Sequence, residues 1–265
     1  MGATATGKTD LAVWLVERFP LEIISVDSAL IYRGMDIGTA KPDAPTLARA
    51  PHHLIDILDP AEAWSAWAFV ESATQLIDDI CAGGKIPLLV GGTMMYFNAL
   101  QQGMNKLPMA DPGLRADLEQ RMQQQGLPAL YAELKQLDPV TAARLKPTDP
   151  QRILRALEVQ QITGQPMSRL LAEQSNAPDI DFQQVVLEVT DRADLHQRIE
   201  LRFEQMLEAG FEQEVRALRA RGDLDLSMPS MRCVGYRQMW QYLEQTLNYA
   251  EMVTKSVIAT RQLAK

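Results

Sequence analysis

The first short stretch of this sequence that could do chemistry is "GATATGKT", which fits the pattern Gly-x-x-x-x-Gly-Lys-[Ser/Thr]. In such a loop the glycines permit a tight turn, backbone N–H groups point inward and the lysine ammonium reaches the outer phosphates. The hydroxyl of the last residue can bind Mg²⁺, so Thr9 is the predicted metal ligand. The predicted phosphate-binding residues are Gly2, Ala3, Thr4, Ala5, Thr6, Gly7, Lys8 and Thr9.

Two further stretches place polar side chains where β-strands are predicted to end. Asp27 closes "IISVD", and open α/β sheets bind their ligands at the carboxyl ends of strands. A carboxylate beside a phosphate loop can take a proton from a nucleophile, although it could instead cap the next helix. In "LLVGGTMMYF", Gly91 and Gly92 allow a close backbone approach and Thr93 presents a hydroxyl, although a plain tight turn is the alternative.

Arginines and aromatics are concentrated in "SMRCVGYRQMW" (230–240). Arg232 and Arg237, interleaved with Tyr236 and Trp240, suit phosphates and unstacked bases. The alternative is a solvated turn with a half-buried tryptophan. The pattern therefore leaves a nucleic-acid site open at this point.

A second arginine pair stands in a predicted helix. Arg198 and Arg202 are four residues apart and lie on one side of it, but Glu200 and Glu204 could pair with them. Of the two, Arg202 is the stronger candidate for a functional role.

The elements that must position these residues alternate along the chain. Apolar spacing predicts an amphipathic helix over 8–18 and another over 64–81. The predicted strands are 21–27, 51–57, 86–90 and 182–189. Alternation of strand and helix indicates an α/β fold, a P-loop NTPase-like parallel sheet core.

Between residues 111 and about 174 the pattern changes to helices alone, with aspartate-proline starts and glycine stops. This stretch predicts an all-helical domain inserted into the core. The predicted divisions are 1–110 for the first part of the core, 111–177 for the insertion and 178–265 for the second part of the core.

Composition restricts the function classes. With 46% hydrophobic and 23% charged residues the chain is an ordinary globular protein, and it has neither a membrane-spanning run nor a signal peptide. We therefore expect a cytoplasmic protein without membrane contact. Cys81 and Cys233 are the only cysteines, and no spacing offers zinc ligands.

The net charge of −8 argues against non-specific nucleic-acid binding, but two windows depart from it. "RLKPTDPQRILR" (144–155) carries four bases against Asp149 alone. Residues 226–265 carry five bases and two acids. The chain therefore has two basic patches on an otherwise acidic surface.

Taken together, these motifs resemble the tRNA dimethylallyltransferases (tRNA isopentenyltransferases) of bacterial type. The matching words are "GATATGKT", "ISVDSALIYRGMDIGTAKP", "PHHLIDI", "PLLVGGTMMYF", "DPQRILRALEV" and "MRCVGYRQMW". The second of these is the most specific. The family also has a strand before the loop and further chain after "ATRQLAK", and neither is part of this sequence.

The resemblance implies transfer of a dimethylallyl group from dimethylallyl diphosphate to N6 of the adenosine just 3′ of the anticodon in tRNA. It implies that the loop holds the donor's diphosphate rather than ATP, with Mg²⁺ on Thr9. It implies catalytic roles for Asp27 as general base, for Thr93 beside the reaction channel and for Arg202 on the diphosphate. The expected partners are the tRNA anticodon stem-loop and dimethylallyl diphosphate, and the expected state is a monomer.

The same resemblance implies a set of tRNA contacts that coincides with both basic windows. These residues are Asp27, Ser28, Ala29, Leu30, Thr93, Arg115, Gln151, Arg152, Ile153, Leu154, Arg155, Arg232, Cys233, Val234, Gly235, Tyr236 and Arg237.

Two other functions are compatible with the motifs. One is a P-loop kinase of a small hydroxylated metabolite, with ATP in the loop and Asp27 as base. The strand over 86–90 lacks the acidic residue that often helps to hold Mg²⁺ in P-loop ATPases, which counts against a kinase. The other is a tRNA-binding protein without catalysis.

Overall fold

The structure is a computed structural model that describes residues 1–105, 107–172, 178 and 180–264. It divides into two compact units. The sheet unit comprises Met1–Asn98 with Ile180–Lys265, and the helical unit comprises Ala99–Asp179. The limits predicted from the sequence, 111 and 177, lie inside the range of the helical unit.

The sheet unit contains a parallel sheet of three strands in the order β2-β1-β3. The strands are β1 (Leu21–Val26), β2 (His52–His53) and β3 (Ile86–Gly91). The central strand β1 is apolar and buried at its carboxyl half, as a strand with neighbours on both sides requires. Its last residue, Val26, pairs with Gly91 at the end of β3, so both strands deliver the chain to the same edge.

Two of the predicted strands are corrected by the structure. The strand expected over 51–57 is only His52–His53, because the backbone takes positive φ angles at Leu54 (62°) and Asp56 (56°) and leaves the sheet. The strand expected over 182–189 is reduced to one bridge between Leu187 and Gly2. Its β-branched residues favour a strand only beside a long partner, and here the partner turns at once into the phosphate loop.

The other elements of this unit are helices. They are α1 (Lys8–Val16), α2 (Ala44–Arg49), α3 (Ala66–Ala82), α4 (Met94–Gln102), α10 (Arg192–Glu208), α11 (Phe211–Ala220), α12 (Tyr236–Leu243) and α13 (Tyr249–Leu263), and α4 continues into the helical unit. The largest core cluster packs Phe203, Phe211 and Tyr236, with the last two rings edge to face 5.0 Å apart. In the described part of the chain, no helix has the length and apolar character that crossing a bilayer would need.

In its described part the helical unit consists of helices, as its sequence predicts. They are α5 (Pro112–Gln125), α6 (Leu127–Leu137), α7 (Pro139–Arg144), α8 (Pro150–Thr163) and α9 (Met167–Ala172). The carboxylates of Asp111, Asp138 and Asp149 accept hydrogen bonds from first-turn N–H groups of α5, α7 and α8, and proline follows each of them. Leucine and isoleucine side chains from α5, α6 and α8 form the core of the unit.

Candidate active site

The phosphate loop passes directly into α1. Gly7 is the N-cap of this helix in the left-handed conformation (φ 84°), and without a side chain it leaves the first N–H groups of α1 uncapped. The Thr6 hydroxyl donates to the Ala3 carbonyl oxygen over 2.9 Å, and the Lys8 ammonium donates to the same oxygen. The loop is therefore closed on itself, with the lysine held across it.

The start of the loop is fixed from two sides. The Leu187 N–H donates to the Met1 carbonyl over 2.8 Å, and Gly2 forms a bridge with Leu187. On the other side, a Cβ added to Gly92 would lie 3.2 Å from the Gly2 carbonyl oxygen and 3.9 Å from the Lys8 Nζ. Gly92, the residue after β3, therefore lies against the phosphate loop, which is the close backbone approach that the sequence predicts.

Arg202 reaches this loop from α10. Its guanidinium donates to the Thr4 hydroxyl over 3.1 Å and to the Thr39 carbonyl over 3.5 Å. It also lines a cleft of about 500 Å³ with residues of α10 and of the 36–44 segment. Arg198, one turn earlier, is exposed.

Three charged side chains influence one another electrostatically at this point. Burial lowers the pKa of Lys8, the Asp27 carboxylate opposes that shift and the Arg202 guanidinium adds to it. Burial lowers the pKa of Arg202 as well, again opposed by Asp27. Two half-buried cations therefore share one loop, and an anion placed between them would relieve their mutual repulsion.

Asp27 leaves the end of β1 and organises the turn that follows. Its Oδ1 accepts hydrogen bonds from the N–H groups of Ala29 (2.8 Å) and Leu30 (3.4 Å). No helix follows Asp27, so the helix-capping alternative is wrong, and the carboxylate caps a turn instead. The Oδ2 atom takes part in neither of these bonds.

Thr93 stands at the matching position after β3. Its N–H donates to the Val26 carbonyl over 3.2 Å, and its Oγ1 accepts from the Ser28 N–H over 3.1 Å. The hydroxyls of Thr93 and Ser28 are 3.5 Å apart. The structure therefore brings Thr93 to the Asp27–Ser28 turn, although Ser28 and Thr93 are 65 residues apart in the sequence.

The segment before α12 contributes to the same neighbourhood. Burial raises the pKa of the Cys233 thiol to about 12, with the Asp27 carboxylate adding to the shift and Arg232 opposing it. Burial likewise raises the pKa of Tyr32 to about 12. Cys233 adds to this shift and Arg232 opposes it. Cys233 is therefore within electrostatic reach of both Asp27 and Arg232.

Two other members of the 230–237 segment, Tyr236 and Gly235, have structural roles. The Tyr236 side chain is fully buried, and its hydroxyl donates to the Glu214 carboxylate. The Gly235 N–H donates to the Gln238 side chain over 2.9 Å. Arg237 is exposed on α12.

The predicted tRNA residues of the helical unit differ sharply in exposure. Ile153 and Leu154 are core residues, whereas the Arg152 side chain is 74% exposed. Arg155 donates over 2.7 Å to Glu158, whose side chain is completely buried, and an Arg115 nitrogen lies 4.0 Å from the same carboxylate. Arg115 and Arg155 thus stabilise their own unit, whereas Arg152 pairs with Asp149 over 3.3 Å and is the most exposed of these three arginines.

Sequence reasoning missed Glu214 on α11. Its carboxylate accepts from the N–H groups of Asp36 (2.8 Å), Ile37 (2.7 Å) and Gly38 (3.1 Å), as well as from Tyr236. No local signal marks Glu214, because three of its four partners are more than 170 residues away in the sequence.

The donor set for a metal is sparse in protein ligands. Within the described residues no group of three or more His, Cys, Asp or Glu side chains is arranged to hold one. Mg²⁺ at phosphate sites takes only one or two protein ligands and completes its shell with phosphate oxygens and water. The Thr9 hydroxyl in the first turn of α1, beside the loop, fits that mode.

Comparison with known proteins gives a consistent result. The family model for IPP transferase matches residues 30–265. The full-length tRNA isopentenylpyrophosphate transferase of Bacillus halodurans is similar over 99% of this chain and 82% of its own, with 36% identity and a TM-score of 0.65. The tRNA delta(2)-isopentenylpyrophosphate transferase of Staphylococcus epidermidis is similar over 100% and 85%, with 30% identity and a TM-score of 0.68.

A eukaryotic dimethylallyltransferase acting on tRNA is similar over 99% of this chain and 66% of its own, with 26% identity and a TM-score of 0.81. The family match covers most of the chain and includes "DSALIYRGMDIGTAKP" from Leu30 onward. On this ground the chain belongs to the IPP transferase family.

Proposed function

We propose that this protein transfers the dimethylallyl group of dimethylallyl diphosphate to N6 of the adenosine 3′ of the anticodon in tRNA. The observation that carries the proposal is the convergence of Lys8 and Arg202 on one loop with Asp27 and Thr93 at the adjacent strand ends. A pair of cations for a leaving diphosphate and a carboxylate for a proton are what this reaction needs. We also propose that the sheet unit is related to the P-loop NTPases.

The donor's diphosphate lies in the loop in this proposal. Uncapped N–H groups of α1, the Lys8 ammonium and the Arg202 guanidinium neutralise the charge that develops as the bond from C1 to the diphosphate oxygen breaks. Mg²⁺, held through the Thr9 hydroxyl and the phosphate oxygens, would supply further electrostatic stabilisation of the leaving group. Lys8 must first exchange the Ala3 carbonyl for phosphate.

The acceptor amine is a weak nucleophile because its lone pair is delocalised into the adenine ring. Asp27 accepts the proton that N6 loses as the bond between N6 and C1 forms. The Oδ2 atom is suited to this role, since Oδ1 is engaged by the backbone N–H groups of Ala29 and Leu30. Thr93 holds the Ser28 backbone, and so fixes the turn that presents the carboxylate.

The tRNA contacts in this proposal come from exposed cations and from the strand-end turns. Arg152, Arg232 and Arg237 are exposed, and they suit the phosphates of an anticodon stem-loop. The target base must leave its stack, which costs a few kcal/mol and costs least in a single-stranded loop. A monomeric state and a cytoplasmic location stay predictions from the sequence.

The proposal is tested by incubating the protein with Mg²⁺, dimethylallyl diphosphate and an unmodified anticodon stem-loop, and measuring the RNA mass. Asp27→Asn should lower the transfer rate by roughly 10²–10⁴-fold, the usual contribution of a general base, while tRNA affinity is kept. Asp10→Asn, on the exposed face of α1, is the matched control. Near-normal transfer by Asp27→Asn would refute the base assignment.

Two other outcomes distinguish the rival functions. Stabilisation of the protein by ATP with Mg²⁺, but not by dimethylallyl diphosphate, would favour a kinase. Tight stem-loop binding without product would favour a non-catalytic tRNA-binding protein. The family match already favours prenyl transfer over both.

A further inference from the structure

The sheet unit carries a second cleft, separate from the one lined by Arg202. It lies between α12 and α13 and has a volume of about 300 Å³. Its lining residues are Arg237, Gln238, Gln241, Lys255, Ile258, Ala259 and Gln262. Among the described residues, two cations and three amide side chains therefore border it, and no carboxylate does.

The acidic residues of this region are committed elsewhere. Between 226 and 264 they are Glu244 and Glu251. Glu244 accepts from the Trp240 indole over 2.9 Å, and Glu251 accepts from the Asn248 N–H over 2.9 Å in a capping box. Neither lines the cleft, so the positive charge of Arg237 and Lys255 is not neutralised by the acids of this region.

Helical spacing places the lining residues of the cleft in a row along each helix. Arg237 and Gln241 are one turn apart on α12, and Lys255, Ala259 and Gln262 follow one another along one side of α13. Arg237, Lys255 and Gln262 are all exposed. Ammonium and guanidinium groups beside side-chain amides suit a phosphate–ribose chain, whose oxygens accept hydrogen bonds and whose hydroxyls both donate and accept.

We propose that this cleft binds the sugar–phosphate backbone of the tRNA substrate, with Lys255 and Gln262 of α13 as contacts beyond the 232–237 segment. The proposal rests on the proposed function. It shares Arg237 with the segment assigned by resemblance, and it extends that segment onto a second helix. Contacts of this kind fix the position of an RNA rather than select its sequence.

The test measures the affinity for a fluorescent anticodon stem-loop at several salt concentrations. Lys255→Ala should weaken binding and reduce the slope of log Kd against log salt by about 1, the loss of one phosphate contact. Gln262→Glu, which keeps the shape of the side chain and adds a repelling charge, should also weaken binding. The KM for the stem-loop in the transfer reaction should rise in both variants.

Lys85→Ala is the matched control, because Lys85 is also exposed, does not line the cleft, and pairs with Glu22. Salt slopes for Lys255→Ala equal to those of Lys85→Ala, with transfer intact, would overturn the cleft proposal alone. A wild-type chain that neither binds nor modifies the stem-loop would overturn the proposed function together with this inference. Substitution of exposed side chains changes stability little, so loss of fold does not obscure the result.

Discussion

At the scale of single residues, the site depends on the positions of a few side chains. Lys8 and Arg202 are held by neutral oxygens, the Ala3 carbonyl and the Thr4 hydroxyl, rather than by a carboxylate partner. Neutral oxygens do not neutralise these cations, so both can attract an anionic ligand. Burial strengthens that attraction. The loop is therefore prepared for a multiply charged anion.

The lowered pKa of Lys8 leads to a pH prediction. Only the protonated ammonium binds diphosphate, and a lysine in water loses its proton near pH 10.4. Because burial and Arg202 lower the pKa of Lys8, the Kd for dimethylallyl diphosphate should start to rise at a pH below that value. Isothermal titration between pH 7 and 10 would measure it.

Lys8→Arg is the control, since its guanidinium stays protonated over that range. Its affinity should be weaker than that of the wild type at neutral pH but flat as the pH rises. An equally steep rise in Kd in Lys8→Arg would show that another group titrates, and the assignment to Lys8 would then be wrong.

At the scale of elements, the site depends on how α11 holds the 36–38 segment. Glu214 accepts three successive backbone N–H groups from that segment. Gly38 lies so close to this helix that a Cβ would fall 2.1 Å from the Phe211 ring. The segment leads on to the Thr39 carbonyl that Arg202 contacts, so α11 fixes one support of the diphosphate site.

Glu214→Ala should release this segment. Loss of hydrogen bonds to a charged acceptor should cost roughly 2 kcal/mol or more and lower the transfer rate, with faster hydrogen exchange at the N–H groups of 36–38. Glu212→Ala is the matched control, because Glu212 lies two residues earlier on α11 and pairs with the exposed Arg216. It should change neither the transfer rate nor the hydrogen exchange at 36–38. Unchanged exchange at 36–38 in Glu214→Ala would contradict the role given to Glu214.

At the scale of the whole molecule, the two compact units have separate sources of stability. The helical unit is organised around the buried Glu158, which accepts from the Asp111 N–H (3.0 Å) and from Arg155. The sheet unit is organised around the parallel strands and the aromatic cluster of Phe203, Phe211 and Tyr236. Loss of contacts in one unit should therefore lower the stability of that unit and leave the stability of the other unchanged.

Glu158→Ala tests this separation. Removing one partner of a buried ion pair costs about 3–5 kcal/mol, so N–H groups of α5 and α8 should exchange much faster. Those of β1 and β3 should be unaffected. Glu119→Ala, which removes a 52% exposed partner of Arg115, is the matched control with a small effect. Faster exchange throughout the chain would show that the units unfold together.

Sequence patterns anticipated much of this structure where the signal is local. Helix starts at Asp111 and Asp149 follow from capping chemistry within four residues, and the phosphate loop follows from its own spacing. The strand over 182–189 was wrongly predicted because apolar alternation reports propensity, while a strand also needs a partner of matching length. Glu158 and Glu214 were not predicted, because the local sequence around a single helical glutamate does not show whether its side chain is buried or solvent-exposed.

The sequence by itself determined which chemical groups are available: a phosphate loop, a carboxylate after β1, a hydroxyl after β3 and a family identity. Those properties depend on neighbouring residues and on motif spacing. Only the tertiary structure decided which groups meet. It joined Arg202 to Thr4 across 198 residues, turned Arg115 and Arg155 toward Glu158, and opened a basic cleft between α12 and α13. Such contacts arise from the packing of distant segments, which no local pattern encodes.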